Sequence, residues 1–119
     1  MVDATNQKII EYGMSMVGNN IKLIKKHKFN ELKKRISKGV KKKFELERIL
    51  SEDEMEAILV GAAESFASSL FFIDRKVDAV EIYNHLDPEK YKGRIDEINE
   101  DYRAVMHKSV LSDIGGIWY

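Results

Sequence analysis

The sequence predicts an all-α protein, a compact bundle of four to five helices that forms a single domain over residues 1–119. Three observations lead to this fold class. Apolar residues recur at helical spacing along most of the chain, a capping box precedes the most apolar segment, and no segment alternates apolar and polar residues as a strand does. A chain of 119 residues fits one domain, and its 44% apolar and 34% charged residues are typical of a globular protein with a charged exterior.

The first helix is indicated by apolar residues spaced four, three, four and three positions apart: Ile10, Met14, Val17, Ile21 and Ile24. Either Asp3 or Thr5 is suited to cap its start. Gly13 and Gly18 interrupt the pattern, and each lowers helix stability by up to ~1 kcal/mol relative to alanine. The same glycines would permit a second helix to approach closely.

The second helix is predicted from about Asn30 to Leu50, because apolar residues follow at intervals of four and are extended at both ends: Phe29, Leu32, Ile36, Val40, Phe44 and Ile49. The junction near His27–Asn30 is either a turn or a continuation of the first helix. This helix lies within a basic helical segment, residues 22–48.

The third helix has the clearest start signal in the chain, since Ser51 and Glu54 match the two ends of a capping box. We expect a central apolar helix over residues 52–73. It is apolar on nearly all sides, and between Ala57 and Ile73 the only charged residue is Glu64. A helix of this kind is either central in a bundle or crosses a membrane. Its length is at the short limit for a span and it contains serines, so no membrane span is expected.

A break at residues 74–76 is expected to separate this helix from a short one, Asp78–Leu86. Asp87 and Pro88 then have the residue types of an N-cap and a first helical position. They predict a C-terminal helix over residues 88–111, with apolar residues again spaced four and three apart: Tyr91, Ile95, Ile98, Tyr102 and Val105.

Two glycines, Gly115 and Gly116, are expected to end that helix and leave an apolar tail at residues 114–119. The tail contains three large side chains, Ile117, Trp118 and Tyr119. Because leaving them in water is unfavourable, we expect the tail to dock, either on its own bundle or on a neighbouring subunit.

The net charge of zero conceals a strong segregation of charge. Residues 22–48 hold ten lysines and two arginines against three acidic residues, whereas residues 49–101 hold 14 acidic residues against five basic ones. Either the two segments neutralise each other within the monomer or across a dimer, or the basic segment faces an anionic partner. The candidate partner- or phosphate-binding residues are Lys33, Lys34, Arg35, Lys38, Lys41, Lys42 and Lys43.

No catalytic constellation is visible, so the protein is expected not to be an enzyme and to need no cofactor. The histidines do not stand near a nucleophile motif, and the glycine pairs are not followed by helix starts as in phosphate loops. Carboxylates stand one helical turn from each other and from a histidine, but the Glu-x-x-His motif that a di-metal site repeats on two helices does not occur in the sequence. Glu64 is the candidate buried acid; it would then need a basic partner from the basic segment, and the simpler expectation is a solvent-facing or ion-paired side chain.

These observations favour a small non-catalytic helical protein that acts by protein–protein interaction as an oligomer. The alternative is a non-specific nucleic-acid-binding protein that uses the basic helix within residues 22–48; the excess of lysine over arginine suits phosphate contacts more than base recognition. A membrane-surface role is disfavoured because that helix lacks tryptophan. The absence of cysteine and of a signal-peptide pattern predicts a cytoplasmic protein. Its composition would suit a phage or mobile-element product, although composition does not establish origin.

Overall fold

Six α-helices and no strand make up the part of the chain that the structure describes. This computed structural model describes the backbone of residues 6–69 and 72–118 and the side chains of residues 6–69 and 72–106. The helices are α1 (Asn6–Asn19), α2 (Ile21–Lys25), α3 (Phe29–Phe44), α4 (Glu52–Ala67), α5 (Asp74–Leu86) and α6 (Lys92–Trp118). The all-α prediction is confirmed, and the helix count exceeds the expected four to five because the short α2 is separate from α1.

The core forms around α4, which packs against both α1 and α5, while α1 also packs on α3 and α6 packs on α5. Its largest fully buried apolar side chains come from all six helices: Ile9, Ile24, Leu32, Ile36, Ile58, Leu59, Ile82, Tyr83 and Ile98. One of the two expected close approaches is present. A Cβ atom on Gly13 would lie 2.5 Å from Cδ1 of Ile58 in α4, whereas a Cβ atom on Gly18 would have no neighbour within 4 Å.

The first predicted helix is divided at Asn20. This residue leaves the helical conformation, with φ −122° and ψ 33°. Its side-chain amide Nδ2 donates a hydrogen bond to the carbonyl oxygen of Met16, 2.7 Å away. The side chain of asparagine can replace backbone hydrogen bonds in this way. Asn20 thereby separates α1 from α2. The junction before α3 is a turn, in which His27 has a positive φ of 57°.

Helix α3 ends at Phe44, earlier than the predicted Leu50. Glu45 adopts the left-handed conformation, with φ 53°, and the amide of Leu46 donates to the carbonyl of Lys41. The basic segment 22–48 is therefore α2, a turn, α3 and part of the connection to α4. Phe29 is buried as expected, but the placement of Ile49 on the buried stripe was wrong: its side chain is 79% exposed.

The capping box at the start of α4 is confirmed. The amide of Glu54 donates to Oγ of Ser51 over 3.1 Å, and the amide of Ser51 donates to Oε1 of Glu54 over 2.9 Å. The predicted extent of residues 52–73 was too long, since α4 ends at Ala67. Its last turn is closed by Lys76 of α5, whose Nζ donates to the carbonyl of Ala67.

Helix α5 begins at Asp74, so the break expected at residues 74–76 and the start expected at Asp78 were wrong. The predicted C-terminal helix 88–111 is also displaced. Asp87 accepts hydrogen bonds from the amides of Glu89 and Lys90, and this turn delays the start of α6 to Lys92.

The end of α6 lies beyond the two glycines that were expected to terminate it. The backbone stays helical through Gly115 and Gly116 to Trp118, so residues 114–118 belong to the helix and are not a separate tail. Glycine ends a helix only where it adopts a left-handed conformation, and it can equally continue one. The docking predicted for Ile117, Trp118 and Tyr119 concerns side chains outside the described residues.

Candidate functional site

Helix α3 divides into a buried and a cationic face. Its apolar stripe is entirely buried, which places most of its lysines on the solvent side: Phe29, Leu32, Ile36, Val40 and Phe44 face the core. Four of the predicted site residues line one groove of about 400 Å³, together with Ser37 and Ile49: Lys33, Lys34, Lys38 and Lys41. We call this surface the lysine groove.

The lysine groove is apolar along its floor although four cations surround it. Lysine contributes an aliphatic stem below its ammonium group, and these stems cover apolar surface while the charge stays in water. Ile49 lies in the connection between α3 and α4 and presents a 79% exposed side chain to the groove. The groove therefore combines an apolar contact surface with a positive rim.

The four lysines of the groove lack an acidic counterpart within the described side chains, where no carboxylate comes within 4.0 Å of any of them. The basic and acidic segments are joined by only a few pairs, among them Lys25 with Asp78 at 3.4 Å and Arg48 with Glu54 at 2.6 Å. Other carboxylates of the acidic segment pair with the bases of that same segment, as Glu56 does with Lys90. Among the described side chains, pairing between the two segments thus leaves the charge of the lysine groove uncompensated.

The remaining three predicted site residues lie elsewhere. Arg35 donates to Oδ1 of Asn20 over 2.9 Å and lines a different cavity on the α1–α2 side of α3. The Nζ atom of Lys43 lies 5.8 Å from the centroid of the Tyr12 ring. Lys42 is exposed. The seven predicted residues therefore do not form one site.

Glu64 is not a buried acid. Its side chain is 46% exposed. It accepts a hydrogen bond from Nε of Arg94 of α6 over 2.9 Å, and Nη2 of Arg94 lies 2.8 Å from its Oε2 as an ion pair. The solvent-facing or ion-paired alternative is therefore the one observed, and the partner comes from the C-terminal helix. The basic segment was expected to supply the partner only if Glu64 were buried. Burial, together with the charge of Glu64, raises the pKa of Tyr83 to about 12, so this hydroxyl keeps its proton at neutral pH.

Two other polar groups of the interior were missed by sequence reasoning. Asp78 has a 2% exposed side chain and lies 3.4 Å from both Lys25 and Arg75. His85 stacks on Phe29 with 4.2 Å between ring centroids, and its buried Nε2 has no hydrogen-bond partner among the described residues. Burial, followed by the nearby charge of Lys33, lowers the pKa of His85 and so favours the neutral imidazole.

The described residues contain no group of three or more histidine, aspartate or glutamate side chains placed to hold a metal ion. Among the helices in the described range, none is both long and apolar enough to cross a membrane. No protein-family model matches the chain, and no curated protein or solved structure is similar enough to be matched to it.

Proposed function

We propose that this protein is a non-catalytic binding protein whose lysine groove receives an acidic segment of a partner protein, anchored by an apolar side chain. The observation that carries this proposal is the position of Ile49, 79% exposed in a groove that it shares with Ser37 and four lysines, none of which has an acidic partner among the described side chains. An exposed aliphatic residue beside concentrated positive charge matches a ligand that is acidic and partly apolar.

The two features of the groove would contribute differently to binding. Covering the Ile49 side chain would favour binding by roughly 1.5–3 kcal/mol, the usual range for full burial of such a residue. The lysines are exposed, so each pair that they form is worth less than ~1 kcal/mol. Together they accelerate the encounter with an acidic partner and disfavour a basic one.

Nucleic-acid binding is the second candidate, because the unpaired lysines of α3 would also attract phosphates. The positions of the aromatic residues are less favourable to it. Phe29 and Phe44, the aromatic residues of the basic segment, are buried in the core and offer no surface for base stacking. Phosphate contacts would also leave Ile49 in water. The oligomer prediction stays a prediction, and a second copy of this chain is one form that the acidic partner could take.

The test compares two changes in the groove by fluorescence anisotropy, with a short labelled peptide of glutamates around one leucine as the probe. Ile49→Ala removes the anchor without changing charge, and Lys34→Gln with Lys38→Gln removes two charges. Lys42→Gln with Lys43→Gln is the matched control, since it makes the same charge change on the same helix outside the groove. We expect Ile49→Ala to weaken peptide binding about tenfold and the groove pair to weaken it more than the control pair does.

Two controls separate the alternatives. A peptide with serine in place of leucine should bind weakly and should not respond to Ile49→Ala. If single-stranded DNA binds more tightly than the peptide and Ile49→Ala affects neither, the nucleic-acid alternative replaces this proposal. Light scattering of the unmodified chain and of the Ile49→Ala variant tests whether a second copy occupies the groove, because the variant would then have the lower mass.

A further inference from the structure

A second cavity, of about 520 Å³, lies where the end of α1 meets α2, α3 and α5. We call it the arginine cavity. Its lining carries five basic side chains against a single acidic one, Glu31, among the residues that the structure describes there: Lys22, Lys26, Lys28, Arg35 and Arg75. It is more polar than the lysine groove and receives no residue from it, so the two sites are separate.

Arg35 is held in a fixed orientation at this cavity. Its Nη1 donates to Oδ1 of Asn20 over 2.9 Å and its Nη2 donates to Oε1 of Glu31 over 3.2 Å. Asn20 is fixed in turn by its hydrogen bond to the carbonyl of Met16. The residue that divides α1 from α2 therefore also positions this guanidinium group, whose remaining N–H groups are available to a ligand.

Arg75 is held in a comparable way from α5. Its Nη1 lies 3.4 Å from Oδ2 of the buried Asp78, and its guanidinium carbon lies 5.9 Å from the ring centroid of Phe66 and 5.7 Å from that of Phe72. Asp78 also neutralises part of the charge of Lys25. Two arginines that are each held by neighbouring side chains thus belong to the wall of one cavity, and these contacts lower the cost of ordering them when a ligand binds.

The three lysines of the cavity supply charge that nothing in the described residues balances. Lys22, Lys26 and Lys28 are exposed, and no carboxylate described here lies within 4.0 Å of them. Concave surfaces lined by charge of one sign concentrate counter-charged ligands. Guanidinium forks match the oxygen geometry of phosphate groups, and lysines add charge without geometric demand.

We propose that the arginine cavity binds a small molecule that carries a diphosphate group. A volume of about 520 Å³ is within the range of small-molecule sites. A diphosphate offers more negative charge and more acceptor oxygens than a single phosphate, and these match cations contributed by three different helices. This inference is independent of the peptide site proposed above, because it uses none of the residues of the lysine groove.

The test is calorimetric titration of the full chain with inorganic pyrophosphate and, separately, with inorganic phosphate, at constant ionic strength. We expect pyrophosphate to bind with one site per chain and at least about tenfold more tightly than phosphate. Lys22→Gln with Lys26→Gln should weaken pyrophosphate binding about tenfold or more. Lys42→Gln with Lys43→Gln again loses two charges from exposed positions, outside this cavity, and should change the affinity less than about twofold.

A charge-conserving variant tests the role of geometry. Arg35→Lys keeps the positive charge but loses the fork, and we expect it to weaken pyrophosphate more than it weakens phosphate. The proposal is overturned if the two double variants weaken binding equally, since the attraction would then be diffuse, or if the unmodified chain gives no heat at millimolar pyrophosphate. It is also overturned if single-stranded DNA binding depends on Lys22 and Lys26 while pyrophosphate does not bind, which would assign the cavity to a nucleic-acid backbone.

Discussion

Gly13→Ala is expected to destabilise the protein, although alanine is the better helix former. Gly13 is buried on α1 where this helix crosses α4. An added Cβ would lie 2.5, 2.8 and 2.9 Å from Cδ1, Cγ1 and Cγ2 of Ile58. Three atoms of one side chain stand in its way, so a change in the outermost atom alone would not relieve the overlap.

The magnitude follows from two opposing effects. Alanine gains ~1 kcal/mol of helix propensity over glycine, whereas overpacking a core costs typically ~1–3 kcal/mol. Ile58 is fully buried and β-branched, so its χ1 angle has few alternatives and relief requires movement of the helices. We therefore expect a net loss in the free energy of unfolding of about 1–2 kcal/mol.

The measurement is urea unfolding followed by the helix signal in circular dichroism, which dominates the spectrum of an all-α chain. Gly18→Ala is the matched control, because it makes the same substitution in α1 where no atom lies within 4 Å, and it should raise stability by up to ~1 kcal/mol. In an Ile58→Ala background the penalty of Gly13→Ala should disappear. Equal or higher stability of Gly13→Ala, or a penalty that persists without the Ile58 side chain, would refute the close approach of α1 and α4.

Three further predictions concern polar contacts. Ser51→Ala should lower the free energy of unfolding by roughly 1 kcal/mol through loss of the capping box. The hydrogen bond from Arg48, followed by that from Ser51, lowers the pKa of Glu54 from 4.5 to about 2. The carboxylate therefore stabilises the fold above pH 4.5, and this contribution is lost as the pH falls towards 2. Glu54→Gln should reduce this acid sensitivity in urea titrations, and an unchanged pH profile would contradict the prediction. Asp78→Asn should lower the free energy of unfolding by about 1–2 kcal/mol in the same assay. The loss is smaller than for a fully buried ion pair because Lys25 and Arg75 beside it are partly exposed. Unaltered stability would show that the buried charge is dispensable.

The sequence predicted the helical fold class because its signals are local. The capping box at Ser51 depends on residues three positions apart, and the stripe on α3 repeats every fourth residue, so both appear without knowledge of the tertiary structure. The helix ends were less predictable. Asn20 ends α1 by binding a carbonyl within its own helix, and Glu45 ends α3 in a left-handed conformation that is uncommon for glutamate.

The candidate site was predictable in composition but not in arrangement. Seven basic residues were correctly placed outside the buried stripe of α3, yet their division between two flanks depends on neighbouring elements. Ile49 enters the lysine groove only because α3 ends early and the connection passes beside it. Residues 45–48 gave no local signal that the helix stops, because Glu45, Leu46, Glu47 and Arg48 are all good helix formers.

The zero net charge of this chain is a poor guide to its surface, since pairing within the acidic segment prevents wider neutralisation. Arg94 pairs with Glu64 and with Glu97, so a base of the acidic segment already satisfies carboxylates that could have met lysines of α3. Within the described side chains, lysines on both flanks of the basic segment have no acidic partner. One flank adds an exposed isoleucine and the other adds two oriented arginines. Because apolar contact and guanidinium geometry select different ligands, the two proposed sites would differ in chemistry although both draw on the same excess of positive charge.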